Sequence, residues 1–160
     1  MGLDMYLRAT EYVSRYEYSR ETDTIERTEN ALFKQIVDNF GVADHLDEDG
    51  AGGLDVSFPM GYWRKSNQIH NWFVNEIGSG VDECQVMYVS REKLEELKEL
   101  CIQVIANPEM AEELLPTGSG FFFGSTDYNE WYFMGLNDTI GIINRCLESK
   151  FDYFEYQASW

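Results

Sequence analysis

Hydrophobic positions alternate with polar ones from the first residues. Leu3, Met5 and Leu7 interleave with Asp4, Tyr6 and Arg8, a period of two that predicts an extended segment over 3–16. The polar run "SRETDTIERTEN" that follows reads as a loop. The period then changes to 3.6: Leu32, Phe33, Ile36, Val37 and Phe40 form one stripe, with Asn30 as N-cap and Gly41 as the residue just past the end. "LDVSFPMGYW" reads as a strand in which Pro59 marks an edge or an end. "YWRKSNQIHNWF" (Tyr62 to Phe73) reads as a helix stopped by the glycines at 78 and 80, and "CQVMYV" as a short strand.

The clearest helix is "REKLEELKELCIQVIAN". Ser90 caps it, Leu94, Leu97, Leu100, Cys101, Val104 and Ile105 form its stripe, and Asn107-Pro108 breaks it. "PEMAEELL" is a short helix with proline in its first turn. "TGSGFFFGS" reads as a strand bounded by glycines. A long helix capped by Asp127 follows, with Trp131, Met134, Leu136, Ile140, Ile143 and Leu147 inward, and "FDYFEYQASW" closes the chain as a strand. No repeat, low-complexity tract or linker interrupts this order. The strands are short and aromatic rather than runs of Val and Ile. The expected fold class is therefore α+β, a single domain over 1–160, with a mainly antiparallel or mixed five-stranded sheet packed with about four helices.

Charge changes the picture. Twelve basic side chains face 29 acidic ones, a formal net charge of −17. Such a chain repels nucleic-acid backbones and anionic membranes, so no direct nucleic-acid binding is expected, and a basic protein partner suits it. No apolar run approaches the roughly 18 residues of a membrane span. The first residues carry no secretory pattern, and Tyr6 stands where a myristoylation motif needs Ser or Thr. Cys84, Cys101 and Cys146 are odd in number, far apart and set in apolar runs, so they read as free thiols in a reducing compartment.

Motifs for chemistry are sparse. The acidic loop with Asp44, His45, Asp47, Glu48, Asp49 and Asp55 fails the calcium-loop template: started at Asp47, it has Ala51 at position 5 and Phe58 at position 12, where a bidentate Glu belongs. It reads as a solvated acidic surface for a partner. No phosphate loop, dinucleotide fingerprint, nucleophile elbow or Cys/His metal spacing is present, and no metal or cofactor is expected.

"YWRKSNQIHNWF" inverts the local charge. On a helix, Trp63, Asn67, His70 and Val74 share one face, and Arg64, Gln68 and Asn71 form a second row. An aromatic stripe at this spacing is ordinarily core. The second row carries a guanidinium, the group suited to phosphate or carboxylate, beside aromatics that stack on planar rings. The candidate ligand-binding residues are thus Arg64, Lys65, Asn67, His70 and Trp72, completed by Tyr128 and Trp131 from the aromatic block "FFFGSTDYNEWYF". An enzyme acting on a nucleotide-like substrate would use His70 or Glu130 as acid or base.

The segments "MGLDMYL", "YWRKSNQIHNWF", "GFFFGSTDYNEWY" and "YQASW" together resemble a family of small bacteriophage and prophage proteins; the acidic loop is outside the resemblance. The resemblance carries no catalytic residue over. It implies a phage-type accessory protein in the cytoplasm of a bacterial host, acting as a non-catalytic binder against a host defence such as a nuclease or CRISPR complex. The leading expectation, set by the net charge, is an acidic surface engaging a basic, nucleic-acid-binding host protein; the alternative is sequestration of a nucleotide-type phosphorylated ligand.

Overall fold

Strand β1 (Asp4–Ser14) realises the opening alternation: Met5, Leu7 and Ala9 are buried, while Asp4, Tyr6 and Arg8 lie half-buried between them. The computed structural model describes residues 2–19, 25–46 and 52–160. Its packing divides the chain into two units, Met1–Ala9 with Phe58–Trp160, and Thr10–Ser57.

The unit Thr10–Ser57 is built on helix α1 (Ala31–Phe40). Asn30 Oδ1 accepts from the N–H groups of Leu32 (2.9 Å) and Phe33 (3.3 Å), and Gly41 closes the helix at φ 63°. Phe33 and Val37 bury their side chains with Val13, and Ile36, Val42, Leu46, Leu54 and Val56 pack around them. The run expected as a loop, 19–30, contains strand β3 (Glu26–Glu29), which forms a two-stranded antiparallel ladder with β2 (Tyr16–Ser19) just before it. Cross-strand contacts such as the Arg27 guanidinium over the Tyr16 ring, 4.1 Å away, hold it despite its polar composition. Asp44 is exposed in a 3₁₀ turn (Ala43–His45), and Asp55 is exposed in a strand; Asp47, Glu48 and Asp49 lie outside the described residues.

The unit Met1–Ala9 with Phe58–Trp160 holds the main core. Its sheet has the order β4-β1-β6-β5, with β4 Gly53–Arg64, β5 Met87–Ser90 and β6 Tyr153–Ser159. β6 is central: it runs antiparallel to β1, with Leu7 opposite Tyr156, and to β5, with Met87 opposite Tyr156. β4 is an edge strand, where Pro59 lacks only a donor that an edge does not need. Helices α3 (Arg91–Ala106) and α5 (Glu130–Glu148) are the most extensively packed helix pair. α3 buries Leu94, Leu97, Cys101 and Val104, as its stripe predicts, and α5 buries Leu136, Ile142, Ile143 and Cys146. α5 also lies close to β4. A Cβ on Gly61 would stand 2.4 Å from Ile142 Cγ2, so that strand position admits no side chain.

The mixed α/β architecture is as expected, with three revisions. The five-stranded sheet is a four-stranded sheet plus the β2–β3 ladder, and five α-helices are described, the others being α2 (Asn67–Trp72) and α4 (Ala111–Leu114). "GFFF" is not a strand. It makes a local turn, Phe123 N–H to Gly120 O at 3.2 Å, and, among the described residues, a single backbone bond to a distant residue, Leu3 N–H to Phe122 O at 3.2 Å, and Phe121 is 93% exposed. The long helix is capped by Asn129 rather than Asp127: Asn129 Oδ1 accepts from Trp131 N–H (3.0 Å) and Tyr132 N–H (3.3 Å), while Asp127 bonds the Ser125 hydroxyl. On this helix Trp131 and Met134 face outward, and Tyr132 and Gly135 face inward.

Burial has a consequence at alkaline pH. It pushes the Cys101 thiol from its ordinary 9.0 up to about 12, and the Cys146 thiol up to about 11. Both folded values exceed the unfolded one, so their contribution to stability is complete below pH 9 and is lost as pH climbs through the folded values. Urea unfolding between pH 8 and pH 10.5 should show stability falling above pH 9, by at most about 1.4 kcal/mol per pH unit for Cys101. Cys101→Ala should lower stability at neutral pH and flatten that slope. A slope unchanged in the variant would contradict the assignment.

Candidate functional site

"YWRKSNQIHNWF" is a strand end, a turn and a helix rather than one helix. Lys65 N–H donates to Leu3 O at 2.8 Å, extending the β4–β1 pairing, and Lys65 then takes a left-handed φ of 57°. That turn aims the chain into α2, which passes into a π-helical turn, Phe73–Ile77. The expected helical rows therefore do not form. Trp63 and Arg64 are strand neighbours that point to opposite faces: Trp63 is buried, its indole N–H donating to Thr139 Oγ1 at 2.9 Å, and Arg64 is exposed. Gln68, expected beside Arg64 in a solvent-facing row, is buried.

A cleft of about 650 Å³ opens between the end of β4 and the start of α5. Tyr62, Arg64 and Lys65 stand on one side, and Trp131, Met134 and Asp138, at i, i+3 and i+7, on the other. Ser125, Asp127 and Asn129 bridge them, and Ser66, Gln68 and Gly135 line the inner wall. Two glycines make these approaches possible. A Cβ on Gly135 would lie 2.9 Å from Gln68 Nε2 and 3.0 Å from Ser66 Oγ, and one on Gly124, whose φ is 91°, would lie 3.2 Å from Lys65 Cβ.

The lining carries both signs of charge. Arg64 Nε stands 3.9 Å from Asp4 Oδ1, a loose and exposed pair. Among the described residues, Lys65, Asp127 and Asp138 take part in no ion pair. The Tyr62 hydroxyl donates to Asp4, and this bond holds the phenol above its ordinary 10.0, so Tyr62 keeps its proton beside the cleft.

Of the expected ligand-binding residues, Arg64, Lys65 and Trp131 line this cleft. Asn67 is buried and clamps the loop opposite: its Nδ2 donates to Phe123 O (3.1 Å) and Ser125 O (2.8 Å), and its Oδ1 accepts from Gly118 N–H (3.2 Å). Trp72 is core, edge-on to Phe73. Tyr128 packs edge-on against Tyr132 and is not part of the lining, and neither is Glu130. Tyr62, Ser66, Asn129 and Asp138 were not expected in the site. The mid-helix glycine at 135 is the sequence feature that signals the close approach behind it.

His70 is 2% exposed and belongs to a separate buried chain of hydrogen bonds. Its Nε2 lies 3.0 Å from Asp82 Oδ2 and its Nδ1 2.8 Å from the Tyr156 hydroxyl. A carboxylate only accepts, so Nε2–H donates to Asp82, and in the neutral ring Nδ1 accepts from the Tyr156 hydroxyl. Tyr156 is fully buried, stacked on Phe73 at 3.8 Å and 10°, and burial, followed by the nearby Asp82 charge, raises its pKa well above 10.0. Among the described residues, no group of three or more His, Cys, Asp or Glu is placed to hold a metal ion, and no helix is long and apolar enough to cross a membrane. Comparison with family models, curated proteins and solved structures finds no match for the chain.

Tyr156→Phe removes the donor to His70 Nδ1 and leaves a buried nitrogen unpaired. It should cost about 1–3 kcal/mol in urea unfolding while leaving the cleft intact. An unchanged unfolding midpoint would show that the bond contributes nothing.

Proposed function

We propose that the chain is a non-catalytic binding protein that sequesters a nucleotide-type phosphorylated ligand in the cleft of Arg64, Lys65 and Trp131. The observation that carries this reading is local. In a chain of net charge −17, two adjacent cations, one of them without an ion-pair partner among the described residues, share a concave site with an exposed indole. The volume falls within the roughly 300–1,000 Å³ of small-molecule sites. A guanidinium and an ammonium suit a phosphate, and an indole face suits a base. The placement of His70, buried away from the cleft lining, favours holding a ligand over acid–base turnover. The resemblance to phage proteins gives the reading its setting: an accessory protein in the bacterial cytoplasm that withdraws a nucleotide signal from host defence.

A second reading rests on the charge itself. The outer face of α3 presents Glu92, Glu95, Glu96 and Glu99, all exposed, a row of acids that would engage a basic, nucleic-acid-binding groove on a host protein; the acids Asp44, Asp47, Glu48, Asp49 and Asp55 are read in the same way by themselves. Such an association should weaken with rising salt and with neutralisation of those acids.

Calorimetry against a nucleotide panel at low salt should find a binder that is recovered unmodified. Arg64→Ala and Trp131→Ala should each weaken it by about tenfold, or about 1.4 kcal/mol. A changed product would make the protein an enzyme. Absence of binding across the panel would end the cleft reading and leave the acidic surface.

A further inference from the structure

The two ends of the cleft differ in chemistry. At its mouth are the cations and the exposed indole: the Arg64 side chain is 61% exposed and Trp131 68%. At its inner wall is Gln68, 3% exposed. The Gln68 amide is oriented by a single bond, Nε2–H donating to Tyr132 O at 3.2 Å. That bond leaves the other half of the amide uncommitted: Oε1 is the acceptor end, and it receives no hydrogen bond from any described residue. The absence of a side chain at Gly135 lets the Nε2 end of the amide pack directly against α5, where a Cβ would stand 2.9 Å from it. Oε1 is not one of the fully enclosed side-chain atoms without a partner, so on a residue that lines the cleft it stays open to a ligand that brings a donor. Asp138 lines the same cleft, a further acceptor without an ion pair among the described residues.

We infer that Gln68 is the specificity-determining acceptor of the cleft, and that it selects a nucleotide whose base carries an exocyclic amino group. The base lies against Trp131, its amino N–H donates to Gln68 Oε1, and its phosphate meets Arg64 and Lys65 at the mouth. An oxo group in place of the amino group would set one acceptor against another and leave Gln68 unpaired. Discrimination built on hydrogen bonds to a buried polar group is much stronger than discrimination built on apolar shape.

The inference rests on the nucleotide-binding reading, and the test separates the two. Titration of the full chain with AMP against IMP, and with CMP against UMP, changes amino to oxo at one ring position in each pair. The amino member should bind on the order of tenfold to a hundredfold tighter in the pair that fits. Trp131→Ala, on an exposed side chain, should weaken both members and preserve their ratio. Gln68→Met, near in size and lacking the acceptor, should bring the ratio close to one. Equal binding within both pairs of the unmodified protein, or preference for the oxo member, overturns the role of Gln68 and leaves nucleotide binding standing. No binding of any of the four overturns both. The unmodified protein decides the question even where Gln68→Met does not fold.

Discussion

Helix α5 can rest against the turn after β4 because position 135 has no side chain. Any Cβ there would meet Gln68 and Ser66 at about the 3 Å contact distance that real side chains avoid. The structure around the cleft follows from this approach. It brings Tyr132 O within reach of the Gln68 amide and Thr139 within reach of the Trp63 indole. It also swings the outer face of the first α5 turns, with Trp131, Met134 and Asp138, over Arg64 and Lys65. Glycine is costly within a helix, by about 1 kcal/mol relative to alanine, and here it exchanges intrinsic propensity for a close interhelical contact.

The polar groups buried in this region divide their work. Asn67 uses both ends of its amide to hold the 118–125 segment, which supplies one rim of the cleft without any regular ladder. His70 joins α2 to β6 through Tyr156 and to the segment before β5 through Asp82, whose other oxygen accepts from the Trp160 indole at 3.2 Å. These are satisfied networks, in which each buried group has a partner and removal of one strands another. Gln68 stands apart, because only one half of its amide is committed to the protein.

Electrostatics work on two scales. The chain as a whole is strongly acidic, which discourages contact with nucleic-acid backbones and sets a repulsive background for free anions. Within the cleft the lining is balanced, Arg64 and Lys65 against Asp127 and Asp138. The two cations are therefore the part of the lining that suits an anionic group.

Much of the fold was legible in the residue pattern. The alternation of β1, the Asn30 and Gly41 caps of α1, the stripe of α3 with its Ser90 cap and the closing strand β6 all follow from local rules, because each bond or face involved lies within a few residues. Arg64, Lys65 and Trp131 also stood out, as cations and an indole in unusual company. Three features were decided by contacts between distant segments. Trp63 joined a strand because Lys65 found Leu3 across the sheet, which dissolved the expected helical rows. Asn129 rather than Asp127 capped α5, and its packing placed Tyr132 inward and Trp131 outward along the cleft. Histidine and asparagine positions that composition marks as chemical were consumed by partners more than 10 to more than 80 residues away, Asp82, Phe123, Ser125 and Tyr156. Sequence by itself determined which segments bury a face and which residues carry charge. Tertiary structure decided which of those residues share a cavity, since a cavity is made where non-local surfaces fail to close, and no local period encodes that.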